Sequence, residues 1–144
     1  YVDKITKDSK LAAPIGLQAN DCGTASCLDA VESRLSENSL TNVKNNLIGL
    51  QKIFIAGSTE NTGFDDFLVA VDASELAQTM SQDIELAISA IESFEGSFND
   101  AVINNPEKIQ DVHQAVKTVT DNLKSLFITY LALELPDTSA GDAD

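Results

Sequence analysis

Between Pro106 and Leu133 the apolar residues fall alternately three and four positions apart: Ile109, Val112, Val116, Val119, Leu123, Leu126, Tyr130 and Leu133. That spacing lines them along one side of an α-helix. Asn105 stands where an N-cap belongs, Pro106 suits a first turn whose N–H groups need no partner, and Glu107 complements the positive end of the dipole. Pro136 cannot continue a helix and disfavours helical geometry at Leu135. Such a helix runs roughly 40 Å, at about 1.5 Å per residue. A stripe of that length finds its burial only against other helices of similar length.

The preceding chain contains them. Asn38 or Ser39 opens a helix with Leu40, Val43, Leu47, Leu50 and Phe54 on its inner face, and Gly57 closes it. A loop over 58–63 leads to a short helix, Gly63 to Val71, with Asp65 and Asp66 in its first turn. Asp72 followed by Glu75 has the form of a capping box. Behind it runs a second long seam of Leu76, Met80, Ile84, Ala87, Ile88, Ile91, Phe94, Phe98 and Val102, in which Gly96 marks a bend. Leu28 to Leu35 holds one or two helical turns. No segment alternates with the period of a strand. The expected fold is all-α: an antiparallel up-down bundle of about four helices, three of them long, joined by short loops.

The ends are less patterned. Residues 1–27 read as a connecting segment, with only Val2, Ile5 and Leu11 as weak apolar marks before Pro14 and Gly16. Residues 28–135 read as the bundle and 136–144 as an acidic tail. Tyr1 reads as a cut end, so Tyr1–Ile5 is expected to finish a helix whose apolar face buries against a preceding half. The only cysteines, Cys22 and Cys27, share a small polar loop. A local disulfide, two reduced thiols and half of a metal site compete. The spacing is looser than in usual zinc pairs, and no second Cys/His pair completes four ligands. A disulfide there contributes roughly 2 kcal/mol in the chain-entropy model and points to an oxidising compartment.

Composition removes whole classes of partner. A net charge of −14, with nine scattered Lys and Arg, leaves no basic patch for nucleic acid or an anionic membrane. No apolar run is long enough to span a bilayer. His113 is the one histidine, which excludes a helical two-histidine zinc site and makes a boundary residue the plain reading. Asp83, Glu85, Glu92 and Glu95 read as a solvated face, because no Glu-x-x-His pair accompanies them. No serine-nucleophile turn or phosphate loop occurs. The densest polar cluster is Ser36, Glu37, Asn38 and Ser39, richer than one cap requires.

With those residues in hand, the string from Val31 to Phe54, VESRLSENSLTNVKNNLIGLQKIF, together with KLAAPIGL at 10–17, GFDDFLVAVDASELAQTM at 63–80 and LALELPDTSAGDAD at 131–144, resembles the C-terminal half of imelysin-type proteins. The resemblance implies one half of a two-bundle fold in an exported bacterial protein of the periplasm or outer membrane, tethered in some members by a lipid upstream. It implies a link to iron uptake, an N-terminal half of the same protein as partner, and iron or another divalent metal as the cofactor of the intact protein. The group's metallopeptidase classification rests on a Gly-x-His-x-x-Glu motif in the other half, which this sequence lacks, so no catalytic or metal-binding role transfers to any residue here. What transfers is the polar string: Glu32, Ser36, Asn38 and Ser39 as a ligand-binding wall, with Asn45 and Gly49 on the following helix. Oxygen-rich side chains of that kind suit a hard cation or a polar ligand. The expected role is a binding scaffold. The rivals are a share in a metal-dependent peptidase and an autonomous secreted interaction domain.

Overall fold

The computed structural model describes residues 1–56 and 61–133. The expected helix stop at Gly57, the loop at 58–60, the breaker Pro136 and the acidic tail lie outside the described residues. Among those described there is no strand, and the regular elements are all helical.

An N-terminal π-helix, Val2–Ala12, is followed by single 3-10 turns at Ala13–Ile15, Leu28–Ala30 and Arg34–Ser36. Then come α1 (Ser39–Phe54), α2 (Phe64–Ala70), α3 (Ser74–Glu92), α4 (Phe98–Asn104) and α5 (Pro106–Asn122). A π-wound stretch, Leu123–Phe127, carries α5 into a closing turn, α6 (Ile128–Tyr130).

The four long rods alternate in direction. Asn122 on α5 donates to Asp83 on α3 at 2.8 Å, while Lys108 at the other end of α5 reaches the Glu95 carbonyl just past α3 at 3.4 Å. Lys44 near the start of α1 pairs with Glu92 at the end of α3, 2.7 Å away. The π-helix packs on α1 and α5, with Asn46 donating to Thr6 at 3.1 Å and Lys124 pairing with Asp3 at 3.3 Å. Leu11, Val43, Leu47, Phe54, Leu68, Met80, Ile84, Val102, Ile109, Val116 and Val119 fill the shared core.

Four expectations are revised. Residues 1–13 are not a connector: Thr6, Lys7, Lys10, Leu11 and Ala12 are buried within this chain, and Val2 packs against its core. Of the large apolar residues in this segment only Tyr1 and Ile5 stay exposed. Asp72 does not cap α3. It takes a left-handed conformation (φ 61°) that ends α2, with its N–H bonded to the Val69 carbonyl and that of Ala73 to the Leu68 carbonyl, and Ala73 precedes the new helix. Gly96, at φ 96°, breaks the second seam instead of bending it, and Ser97 restarts the chain as the cap of α4. Finally, the organising seam rotates. Winding through Leu123–Phe127 with i→i+5 bonds inserts an extra residue into the turn, so Phe127 is buried and Leu126, Tyr130 and Leu133 are left exposed.

The least expected core group is the Lys7 side chain, 2% exposed, which lies 3.2 Å from Asp3 and 3.0 Å from Asp8. Burial opposes its charge, but the two carboxylates outweigh that cost and raise the ammonium above its ordinary 10.5. Burial likewise opposes the Asp3 carboxylate, and Lys7 with Lys124 holds it below 3.8. Across the same contact sits His113 on α5, half-buried. Burial depresses its pKa below 6.5 and nearby Lys7 adds to the effect, against Asp8 and Asp121.

Two measurements follow from this contact. Lys7→Ala strands the buried carboxylates and is expected to cost about 3 kcal/mol in urea unfolding; an unchanged midpoint would mean that the helix docks without the ion pairs. His113 is expected to titrate below 6.5 by NMR. Because the unfolded chain then takes up the proton first, stability should decline as pH falls from about 6.5 toward the folded-state pKa, and His113→Gln should remove that slope.

Candidate functional site

The polar string of residues 31–39 becomes a braced loop leading into α1. Ser33 and Glu37 flank the Arg34–Ser36 turn in left-handed conformations, at φ 56° and 53°. Non-glycine residues adopt these at a cost of about 1 kcal/mol each, so surrounding contacts must hold them. Those contacts are visible. Asn99 donates to the Arg34 carbonyl at 2.9 Å, Ser97 to the Glu37 carboxylate at 3.3 Å, and Ser36 to the Ser33 carbonyl at 3.2 Å. Arg34 pairs with Asp29 at 2.6 Å. The braced turn holds Leu35 out to solvent, 95% exposed.

The structure joins two of the four expected wall residues. Ser39, buried at the start of α1, donates its hydroxyl to the Glu32 carbonyl. The Glu32 carboxylate takes the Lys10 ammonium at 3.0 Å and the Asn42 amide at 3.1 Å, and Asn42 also donates to the Ser33 hydroxyl at 3.1 Å. Ser36 and Asn38 stay exposed. Asn38 caps α1 only through its carbonyl, which accepts from the Asn42 N–H at 2.9 Å, and its side chain caps nothing. On α1, Asn45 is exposed and no atom lies within 4 Å of where a Gly49 side chain would begin. Lys10 and Asn42 are the partners that sequence reasoning missed. Asn42, one turn after Ser39, was within reach of helical spacing; Lys10 sits on the helix whose pattern was too weak to announce it.

This charge balance decides what the wall can hold. An ammonium already seated on Glu32 competes directly with a hard cation. Among the described residues no three His, Cys, Asp or Glu side chains converge as a metal site. The described residues therefore do not fit a bound metal. Glu85 and Glu95 are exposed and Glu92 pairs with Lys44, as on a solvated face, whereas Asp83 is partly buried and takes the Asn122 amide across the α3–α5 contact.

A second polar hollow lies between the π-helix and α5, about 270 Å³, lined by Lys7, Asp8, Leu17, Gln18, Gln110, His113, Gln114 and Lys117. Its charges are internally matched: Lys7 by Asp3 and Asp8, Lys117 by Asp121 at 3.1 Å. Burial favours the neutral imidazole of His113, which can donate and accept at once. One rim is fixed by the cysteine loop, in which Cys22 and Cys27 are disulfide-bonded. The Cys27 N–H bonds the Pro14 carbonyl at 2.9 Å, and Asn20 donates to the Ala13 carbonyl at 2.9 Å. At Gly16 (φ 72°) an added Cβ would come within 2.6 Å of the Ala25 Cα, so only glycine lets the loop close over the helix end.

No curated protein matches the chain. No solved structure matches it either. A family model does: Peptidase_M75, described as Imelysin, matches residues 3–126, a span that runs from the π-helix through the braced loop to the rotated end of α5. The chain belongs to the imelysin family.

Proposed function

We propose that this chain works as a binding scaffold within an exported imelysin-family protein, located in the periplasm or at the outer membrane and serving iron uptake. In this reading the loop around Glu32, Ser36, Asn38 and Ser39 docks against the N-terminal half of the same protein and forms one wall of a cleft. The observation that carries the proposal is Leu35, held almost wholly in water by a loop with two strained residues and cross-links to α4. Backbone strain braced around an exposed apolar tip suits recognition, since a loop without such a role would relax and turn the leucine inward. Around the tip, Glu32 with Lys10 and Asn42 offers a polar rim whose geometry is already set, which lowers the ordering cost of association. The disulfide agrees with export to an oxidising compartment.

A photoreactive residue placed at position 35 of the intact protein tests the docking. Crosslinks are expected to residues outside this chain, and crosslinks confined to the chain itself would refute the proposal. Leu35→Ser should leave unfolding within about 0.5 kcal/mol of the parent, as surface changes do, while lowering the crosslinking yield of a photoreactive residue moved to the neighbouring exposed position 36. Incubating the intact protein with a fluorogenic peptide mixture separates the scaffold from its rival. No turnover is expected with or without chelator; chelator-sensitive hydrolysis would favour a metal-dependent peptidase to which this chain contributes a wall.

A further inference from the structure

Two apolar stripes are left uncovered at the bundle end opposite Leu35, and both meet at one ring. On α2 only Leu68 is buried, while Phe64 and Phe67, one turn apart, and Val71 just past the helix end are exposed. On the rotated continuation of α5, Leu126 and Tyr130 stand at i and i+4, and Leu133 follows the left-handed Ala132 that ends the helix; each is about half exposed. Phe64 packs edge-on against the buried Phe127 ring, 5.5 Å between centroids, and against Phe67 at 6.2 Å. Six exposed apolar side chains at one end of the bundle, three of them aromatic, depart from the single scattered exposures normal for a monomer.

The surrounding charge identifies the occupant. No Lys or Arg occurs between Lys52 and Lys108, whereas Asp65, Asp66, Asp72 and Glu75 lie on or beside α2. Lys124, on the α5 side, is engaged by Asp3. None of these four acids forms an ion pair among the described residues; Asp66 accepts only the Gly63 N–H, at 2.9 Å. A second copy of this chain would set acid against acid, and an anionic lipid surface would be repelled. A polypeptide with an apolar stripe between lysines or arginines satisfies both the aromatics and the rim.

We propose that the Phe64/Phe67/Val71 and Leu126/Tyr130/Leu133 stripes form a docking surface for a cationic amphipathic helix of another protein. This inference is independent of the Leu35 loop, which lies at the other end of the rods. Apolar contact provides the affinity, and the acidic rim selects positive partners and speeds encounter.

The test is fluorescence anisotropy with the intact, disulfide-bonded protein and two synthetic helices of one leucine pattern, one carrying lysine and the other glutamate. Binding is expected for the lysine helix alone and should weaken with added salt. Phe67→Ser with Tyr130→Ser, both exposed and neutral, should weaken it by about tenfold or more, and Asp65→Asn with Asp72→Asn should lower affinity while leaving the fold intact by circular dichroism. Equal binding of both helices, or lysine-helix binding indifferent to the Phe67 and Tyr130 changes, would overturn the assignment. So would a dimer in sedimentation that Phe67→Ser dissolves, since the surface would then belong to a second copy.

Discussion

Three amphipathic helices leave one side of their common core open to water, and that open side is the constraint on which the rest of this structure depends. Here it is closed by the π-helix, Val2–Ala12, which brings little grease: Leu11 and Ala12 at one end, Val2 at the other. Between them the contact is polar, with Thr6 bonded to Asn46 and Lys7 matched by Asp3 and Asp8. A buried ammonium tolerates no slack, because each unmatched charge in a desolvated site costs several kcal/mol. The contacts that cross from this helix, Asn46 to Thr6 and Lys124 to Asp3, fix its register on α1 and the end of α5, and everything built on it inherits that register, including the Lys10–Glu32 pair and the hollow beside His113.

The opposite adjustment occurs at the far end of α5. The α-helical period aims Val112, Val116 and Val119 inward, and the π-wound Leu123–Phe127 then shifts the inward position to Phe127. Aromatic packing accounts for the shift. Phe127 meets Phe54 at 6.5 Å and Phe64 at 5.5 Å, a junction that closes the base of the bundle beneath α2. Leu126 and Tyr130 are displaced to the surface as a result.

The candidate wall was legible in part, and the reason differs residue by residue. Ser39 and Glu32 lie close along the chain, on either side of one tight loop, so a dense polar string before a helix was a fair sign of their contact. Ser36 and Asn38 share that string but face water, because the left-handed turns at Ser33 and Glu37 rotate them outward, and no local rule announces a left-handed serine or glutamate. Lys10 comes from a helix a full crossing away. The family resemblance in the sequence agrees with the match over residues 3–126, and the Glu32 carboxylate is already taken by the Lys10 ammonium.

By itself the sequence determined the helical class, the seams of α1, α3 and α5, the starts at Asn38, Gly63 and Asn105, and the cysteine pair within bonding reach. Each of these rests on periodicity or capping, which act over a turn or two of chain. Tertiary structure alone decided the rest: that residues 2–12 form a wall of the bundle, that Gly96 interrupts a seam, that Phe127 replaces Leu126 in the core, and that Lys10 answers Glu32. Those outcomes turn on which distant surfaces meet, and a buried ion pair or a ring junction has no energy until both of its sides are in place.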